Sequence, residues 1–160
     1  MHRRAFAPAL AALIPLLAAP AAAGTDTATF TVSARVQNAC TVVGGSLDFG
    51  TYDAGQAEDL DGVGTIRLEN CTGTVTIELD GGGSGEVQNR VMRQSGGSAT
   101  LRYQLYVDSA RTRVWGTGSA ASQVMVLVDS LPVQVYGRIP GGQRVPPGTY
   151  TDTVNVTVHF

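Results

Sequence analysis

The chain has 160 residues, of which 43% are hydrophobic and 15% charged, with a formal net charge of −2. That length suits one domain with a real core. It holds no lysine and no basic run, which speaks against a nucleic-acid or anionic-membrane partner and excludes lysine Schiff-base chemistry and lysine isopeptide crosslinks.

The chain opens with Arg3 and Arg4, an almost unbroken apolar run, and Ala21-Ala22-Ala23 before Gly24. A basic start, an apolar stretch and a small-residue site of A-x-A type predict a secretory signal over residues 1–23. A membrane anchor is the competing reading, but Pro8, Pro15, Pro20 and the alanine-rich end favour cleavage. No other segment approaches the ~20 apolar residues of a bilayer span. Loss of Arg3 and Arg4 would take the net charge from −2 to −4.

Residues 27–36, TATFTVSARV, place Phe30, Val32, Ala34 and Val36 on one face and Thr29, Thr31, Ser33 and Arg35 on the other. Period-two alternation predicts a strand. Only Gln37, Asn38 and Ala39 separate it from Cys40, and three extended residues reach about 10–11 Å. That reach suits a hairpin or a run into the first core strand, not a crossing to the far side of a sandwich.

Short strands are predicted over 40–43, 47–52, 64–69, 90–93 and 123–128. Stronger alternation marks four others. Val75, Ile77 and Leu79 form one apolar face; Leu101, Tyr103, Leu105 and Val107 a second; Leu131, Val133, Val135 and Ile139 a third; Val154, Val156, Val158 and Phe160 the last. Glycine clusters at 44–45, 80–85, 95–97, 116–119 and 140–142 read as the turns between them. Many short strands with glycine-rich turns predict an all-β sandwich or barrel. The last strand has a strong apolar face and nothing after it in the chain to cover it, and a long apolar edge invites pairing with another chain.

Cys40 and Cys71 are the two cysteines. In an exported chain an even pair reads as a disulfide, and closing a loop of about 30 residues would stabilise the fold by roughly 3–4 kcal/mol. Free thiols or a metal pair are the alternatives, the second disfavoured because the predicted mature chain has one histidine, His159, and no C-x-x-C. An antibody-type domain fits poorly, since Trp115 follows Cys71 instead of lying between the cysteines.

Catalytic chemistry finds few footholds. A hydrolase nucleophile needs a base beside it, and His159 sits on the outward parity of the last strand. Zinc sites lack ligands. Glu58, Asp59 and Asp61 before Gly62 lack the spacing of a calcium loop and read as a solvated turn. No carboxylate pair stands out for glycoside hydrolysis. The glycine clusters lack the strand, helix and lysine of a phosphate loop. The sequons at 70–72 and 155–157 read as chance matches, one holding a cysteine of the pair and the other lying in a strand.

The whole predicted mature chain resembles the spore coat protein U domain, the subunit type of archaic chaperone–usher pili. The resemblance rests on NACTV at 38–42, LDFGTYD at 47–53, ENCTG at 69–73, LRYQLYVDSARTRVWGTG at 101–118 and VYGRIPGGQRVPPGTYTDTVNVTVHF at 135–160. It implies an incomplete immunoglobulin-like β-sandwich lacking its final strand, completed by donor-strand complementation. A periplasmic chaperone would lend a strand to the open groove, and another subunit's N-terminal extension would replace it at the outer-membrane usher. Residues 24–39 would then be the donor extension and 40–160 the pilin-type domain, exported through the periplasm to the cell surface. Phe30, Val32, Ala34 and Val36 would be the donated side chains; Val154, Val156, Val158 and Phe160 would line the groove that receives a neighbour's; Cys40 and Cys71 match the family's paired cysteines. No enzyme activity, cofactor or metal is expected. The alternative is a secreted coat or adhesive, sugar-binding protein of the same fold that does not polymerise.

Overall fold

The computed structural model describes residues 26–35, 39–126 and 130–160. The signal expected over 1–23, and Val36 of the expected donor strand, lie outside the described residues. The chain divides into two compact units, Met1–Arg35 and Val36–Phe160. In the first, residues 26–35 belong to no strand and are exposed throughout. An alternating segment without a sheet partner buries nothing, so its pattern alone does not make it a strand.

The described residues of the second unit form ten strands: β1 (Thr41–Val43), β2 (Leu60–Glu69), β3 (Gly73–Leu79), β4 (Val91–Gln94), β5 (Thr100–Arg102), β6 (Gln104–Tyr106), β7 (Ser122–Val126), β8 (Ser130–Ile139), β9 (Tyr150–Thr151) and β10 (Val156–His159). They form a four-stranded sheet in the order β1-β2-β8-β6 and two three-stranded sheets, β10-β3-β7 and β5-β4-β9. The fold is all-β, a sandwich of packed sheets. Its longest ladder pairs β2 with β8 over ten residues, from Leu60↔Ile139 to Glu69↔Ser130. Inward positions Ile66, Leu68, Val135 and Ile139 of that sheet join Val75, Ile77 and Leu79 of β3 in one core. Trp115 fills the same core, 1% exposed, and its indole N–H donates to the Ile77 carbonyl at 2.9 Å. Cys40 and Cys71 form a disulfide that ties the start of β1 to the β2–β3 turn.

Four local expectations change. The alternation over 101–107 is one run in sequence but serves two sheets: β5 pairs with β4, β6 pairs with β8. At the switch, Tyr103 N–H donates to the Arg90 carbonyl at 3.2 Å. Arg90 is itself 1% exposed. Its guanidinium donates to the carbonyls of Leu79 (3.0 Å), Asp80 (2.6 Å) and Trp115 (2.9 Å) and to Gln104 Oε1 (2.6 Å). A buried charge persists only when its donors are satisfied in this way.

The last strand is likewise shorter than its alternation, since β10 takes only Val156–His159 and the residues between it and β9 join neither strand. Asp80 accepts from the main-chain N–H (2.9 Å) and the side-chain amide (2.6 Å) of Asn155, and Asp152 accepts from Gly83 N–H at 2.8 Å. These side-chain bonds, with a main-chain bond from Asp80 N–H to the Asn155 carbonyl at 3.1 Å, hold 152–155 outside the ladders. A Cβ at Gly82, whose φ is +58°, would meet the Asp152 carboxylate, so the glycines of the 80–85 loop permit the approach.

Residues 58–62 do not form a free turn, because β2 starts at Leu60. Asp61 there pairs with Arg138 at 2.7 Å and Arg111 at 3.1 Å. The hydrogen bond from Arg138 is the main cause that holds its carboxyl below the usual range. Residues 47–52 form no strand, for reasons that belong to the site they build.

Candidate functional site

Two facing walls and a floor form an apolar groove beside the β9–β10 edge. The floor consists of core side chains, among them Ile66, Leu79, Tyr103, Leu105 and Val135. One wall is residues 45–53, the other residues 149–156. The space divides into two cavities of about 530 and 570 Å³ that share Leu47, Phe49, Met92 and Tyr150.

The first wall owes its shape to glycines. Gly62 of β2 and Gly137 of β8 are ladder partners, with Gly64 adjacent on the same inward face. Together they leave a notch without side chains. Leu47 and Phe49 drop into it: a Cβ on Gly137 would lie 2.7 Å from both Leu47 Cδ1 and Phe49 Cζ. Further along, Tyr52 Oη accepts from Gln143 N–H at 2.9 Å and fastens the end of the wall. Gln143 is held in turn by Arg102, accepting from its N–H at 2.8 Å and donating to its carbonyl at 2.9 Å. Side chains hold this wall. Among the described residues, no main-chain bond joins 46–51 to a strand, which is why the predicted strand over 47–52 is absent. Apart from Gly50 N–H, which donates to Asp48 Oδ1 at 2.8 Å, the backbone polar groups of 46–51 are thus available to an added strand.

The second wall is the free edge of β9 and β10, since β10 pairs only with β3 and β9 only with β4 among the described strands. Val154 and Val156 line the groove. Val158 packs on the core beyond the cavity lining, and Phe160 is 60% exposed. Of the expected donor residues, Phe30 is 90% and Val32 80% exposed, and Ala34 is exposed as well. His159 is on the outer face, 3.4 Å from Glu78.

Sequence reasoning missed Leu47, Phe49, Tyr103 and Asp152 as groove residues. The available signal was the trio of glycines at inward parity in two otherwise regular strands, which announces a side chain arriving from elsewhere. The Tyr103 phenol is pushed well up from its ordinary pKa, first by burial and then by its hydrogen bond to Asp152. Among the described residues, the charged side chains lining the groove are Asp48, Asp53 and Asp152.

Residues 26–157 match the Spore Coat Protein U domain. Protein U of Myxococcus xanthus is 38% identical over 159 residues, covering 88% of each chain. Two solved structures align more loosely. One is the CsuC–CsuE chaperone–tip adhesion subunit pre-assembly complex from archaic chaperone–usher Csu pili of Acinetobacter baumannii (TM-score 0.46, 22% identity, 72% of this chain), of which this chain spans 39%. The other is HdaB, the minor tip subunit of the E. coli Hda pilus (TM-score 0.45, 17% identity, 74% of this chain and 79% of that one). The family so matched is structural and not enzymatic. On the match over 26–157 and the relative at 38% identity, the chain belongs to the spore coat protein U domain family.

Proposed function

We propose that this protein is a structural subunit of a surface pilus, exported through the periplasm and polymerised by donating residues 27–36 to the groove of a neighbouring subunit. The observation that carries the reading is the groove itself: an apolar floor open between a free strand edge and a wall with unpaired backbone. Such a site fits an extended segment, which main-chain bonds hold and alternate side chains select. The chain supplies a segment of that kind in residues 26–35, whose apolar side chains are exposed. Burying Phe30, Val32 and Val36 would contribute roughly 1.5–3 kcal/mol each. Ordering the extension costs about 1–2 kcal/mol per residue and offsets much of that. Dissociation must break the whole ladder together, so the assembly would be held by a slow rate. Until a neighbour arrives, a periplasmic chaperone would fill the groove, with an outer-membrane usher as the place of exchange.

The test is a denaturing gel of surface-extracted protein. A donor-strand polymer runs as a ladder without boiling and collapses to monomer on heating. Deleting 27–36 should remove the ladder and leave the subunit folded. A protein that stays monomeric unboiled, with chaperone and usher co-expressed, would be a non-polymerising coat or adhesive protein of the same fold.

A further inference from the structure

We propose that the groove selects its strand by charge as well as by shape, with Arg35 of a second copy docking at the Asp53 end of the acidic rim that carries Asp48 and Asp53. This rests on the strand-acceptor reading above and adds the feature that sets direction and register.

Among the described residues, the lining holds three acids and no cation. Asp152 is already engaged, accepting from Gly83 N–H at 2.8 Å and from the Tyr103 hydroxyl at 2.7 Å. Asp48 accepts only a local bond from Gly50 N–H at 2.8 Å, and Asp53 is exposed. Neither joins an ion pair among the described residues. Residues 27–36 carry a single charge, Arg35. It lies on the face opposite Phe30, Val32 and Ala34. When those three face the floor, the guanidinium is turned to the rim. Asp48 is on that rim, since it is exposed between the inward Leu47 and Phe49.

Direction follows from the walls. Gly45 shares one cavity with Val156, and Tyr52 shares the other with Tyr150, so the walls run in opposite senses. An inserted strand is therefore antiparallel to one wall and parallel to the other. The regular edge is β10, and antiparallel pairing is the more stable per residue. A strand antiparallel to β10 runs with the 45–53 wall and brings its C-terminal end, with Arg35, towards Asp53. Phe30, five residues earlier, then lies about 17 Å back towards Val156.

The experiment titrates a labelled synthetic peptide of residues 26–36 into the purified full-length protein and follows fluorescence anisotropy. The wild-type peptide should bind about five- to tenfold more tightly than its Arg35→Glu version at low salt. The gap should close in 1 M NaCl, where the Debye length is about 3 Å. An Asp48→Lys/Asp53→Lys acceptor should reverse the preference. The peptide arm leaves the protein's folding untouched. Equal affinities, or a difference that neither salt nor the acceptor variant moves, overturn the charge proposal and leave the strand-acceptor reading standing. Failure of both peptides to bind overturns both.

Discussion

The Tyr103 hydroxyl donates a 2.7 Å hydrogen bond to Oδ2 of Asp152, 49 positions away. Its ring meets Phe49 edge-on, with centroids 6.3 Å apart and planes at 68°. Tyr103 therefore touches both walls of the groove from the floor, Phe49 on one side and Asp152 on the other. It also sits where one strand passes from one sheet to another. The residue at the sheet switch thus also spans the groove, its backbone turning to Arg90 and its side chain to the two walls.

Replacing Tyr103 by Phe should cost about 1 kcal/mol at neutral pH, the usual net worth of such a bond. It should also change the alkaline limb. The phenol's folded pKa is raised, by burial first and Asp152 second. The stability it contributes is full below the unfolded value of about 10 and is lost as pH rises from there towards the folded value. Urea unfolding at pH 7 and pH 11 should show a smaller loss for Tyr103→Phe than for the wild type. Equal losses would mean the buried phenol does not control this limb.

The glycine notch makes a graded prediction. At Gly137 a Cβ meets only the tips of Leu47 and Phe49, whereas at Gly64 it meets the Ser46 carbonyl oxygen at 2.7 Å and Leu47 Cα at 3.2 Å. Tips can rotate and backbone cannot. Gly64→Ala should therefore cost about 1–3 kcal/mol, in the range of overpacked cores, and Gly137→Ala less. Denaturant midpoints in the opposite order would show that the wall gives way more easily than its side chains.

Arg90→Met should destabilise by about 3 kcal/mol or more, because it strips donors from the carbonyls of Leu79, Asp80 and Trp115 at once. Arg90→Lys should recover little, since an ammonium cannot reproduce the guanidinium fork. Full recovery by Lys in chemical denaturation would reduce the role of Arg90 to its charge.

Removing the disulfide in a Cys40→Ala/Cys71→Ala variant should cost about 3–4 kcal/mol, given the separation of 31 residues. Cys71 is 1% exposed and part of the core, so reductant should act slowly on the folded protein. Thermal melts of the variant, and of the wild type with and without reductant, measure both effects. A variant melting with the wild type would show that the core alone holds the β2–β3 turn.

Alternation alone identified the faces of β3 and β8, because a half-buried strand must repeat every two residues whatever it packs against, but it found only the 64–69 half of β2. Val75 to Leu79 and Leu131 to Ile139 are inward where parity placed them. The cysteine pairing was equally legible, since two cysteines allow one bridge. The family blocks at 38–42, 47–53 and 135–160 carried the rest of the assignment.

Tertiary structure decided where alternation stops meaning one strand. The run at 101–107 splits where Tyr103 N–H turns to the main-chain carbonyl of Arg90, and the run at 153–160 starts late because the Asp80 carboxylate takes the N–H and side-chain amide of Asn155. It also decided that 47–52 is a wall held by its side chains and not a ladder strand. Leu47 and Phe49 find their places only when Gly62 and Gly137 become partners across a ladder. Parity is local and can be read from a few residues. A notch is the absence of side chains on two strands brought together from opposite halves of the domain, and only the folded chain brings them there.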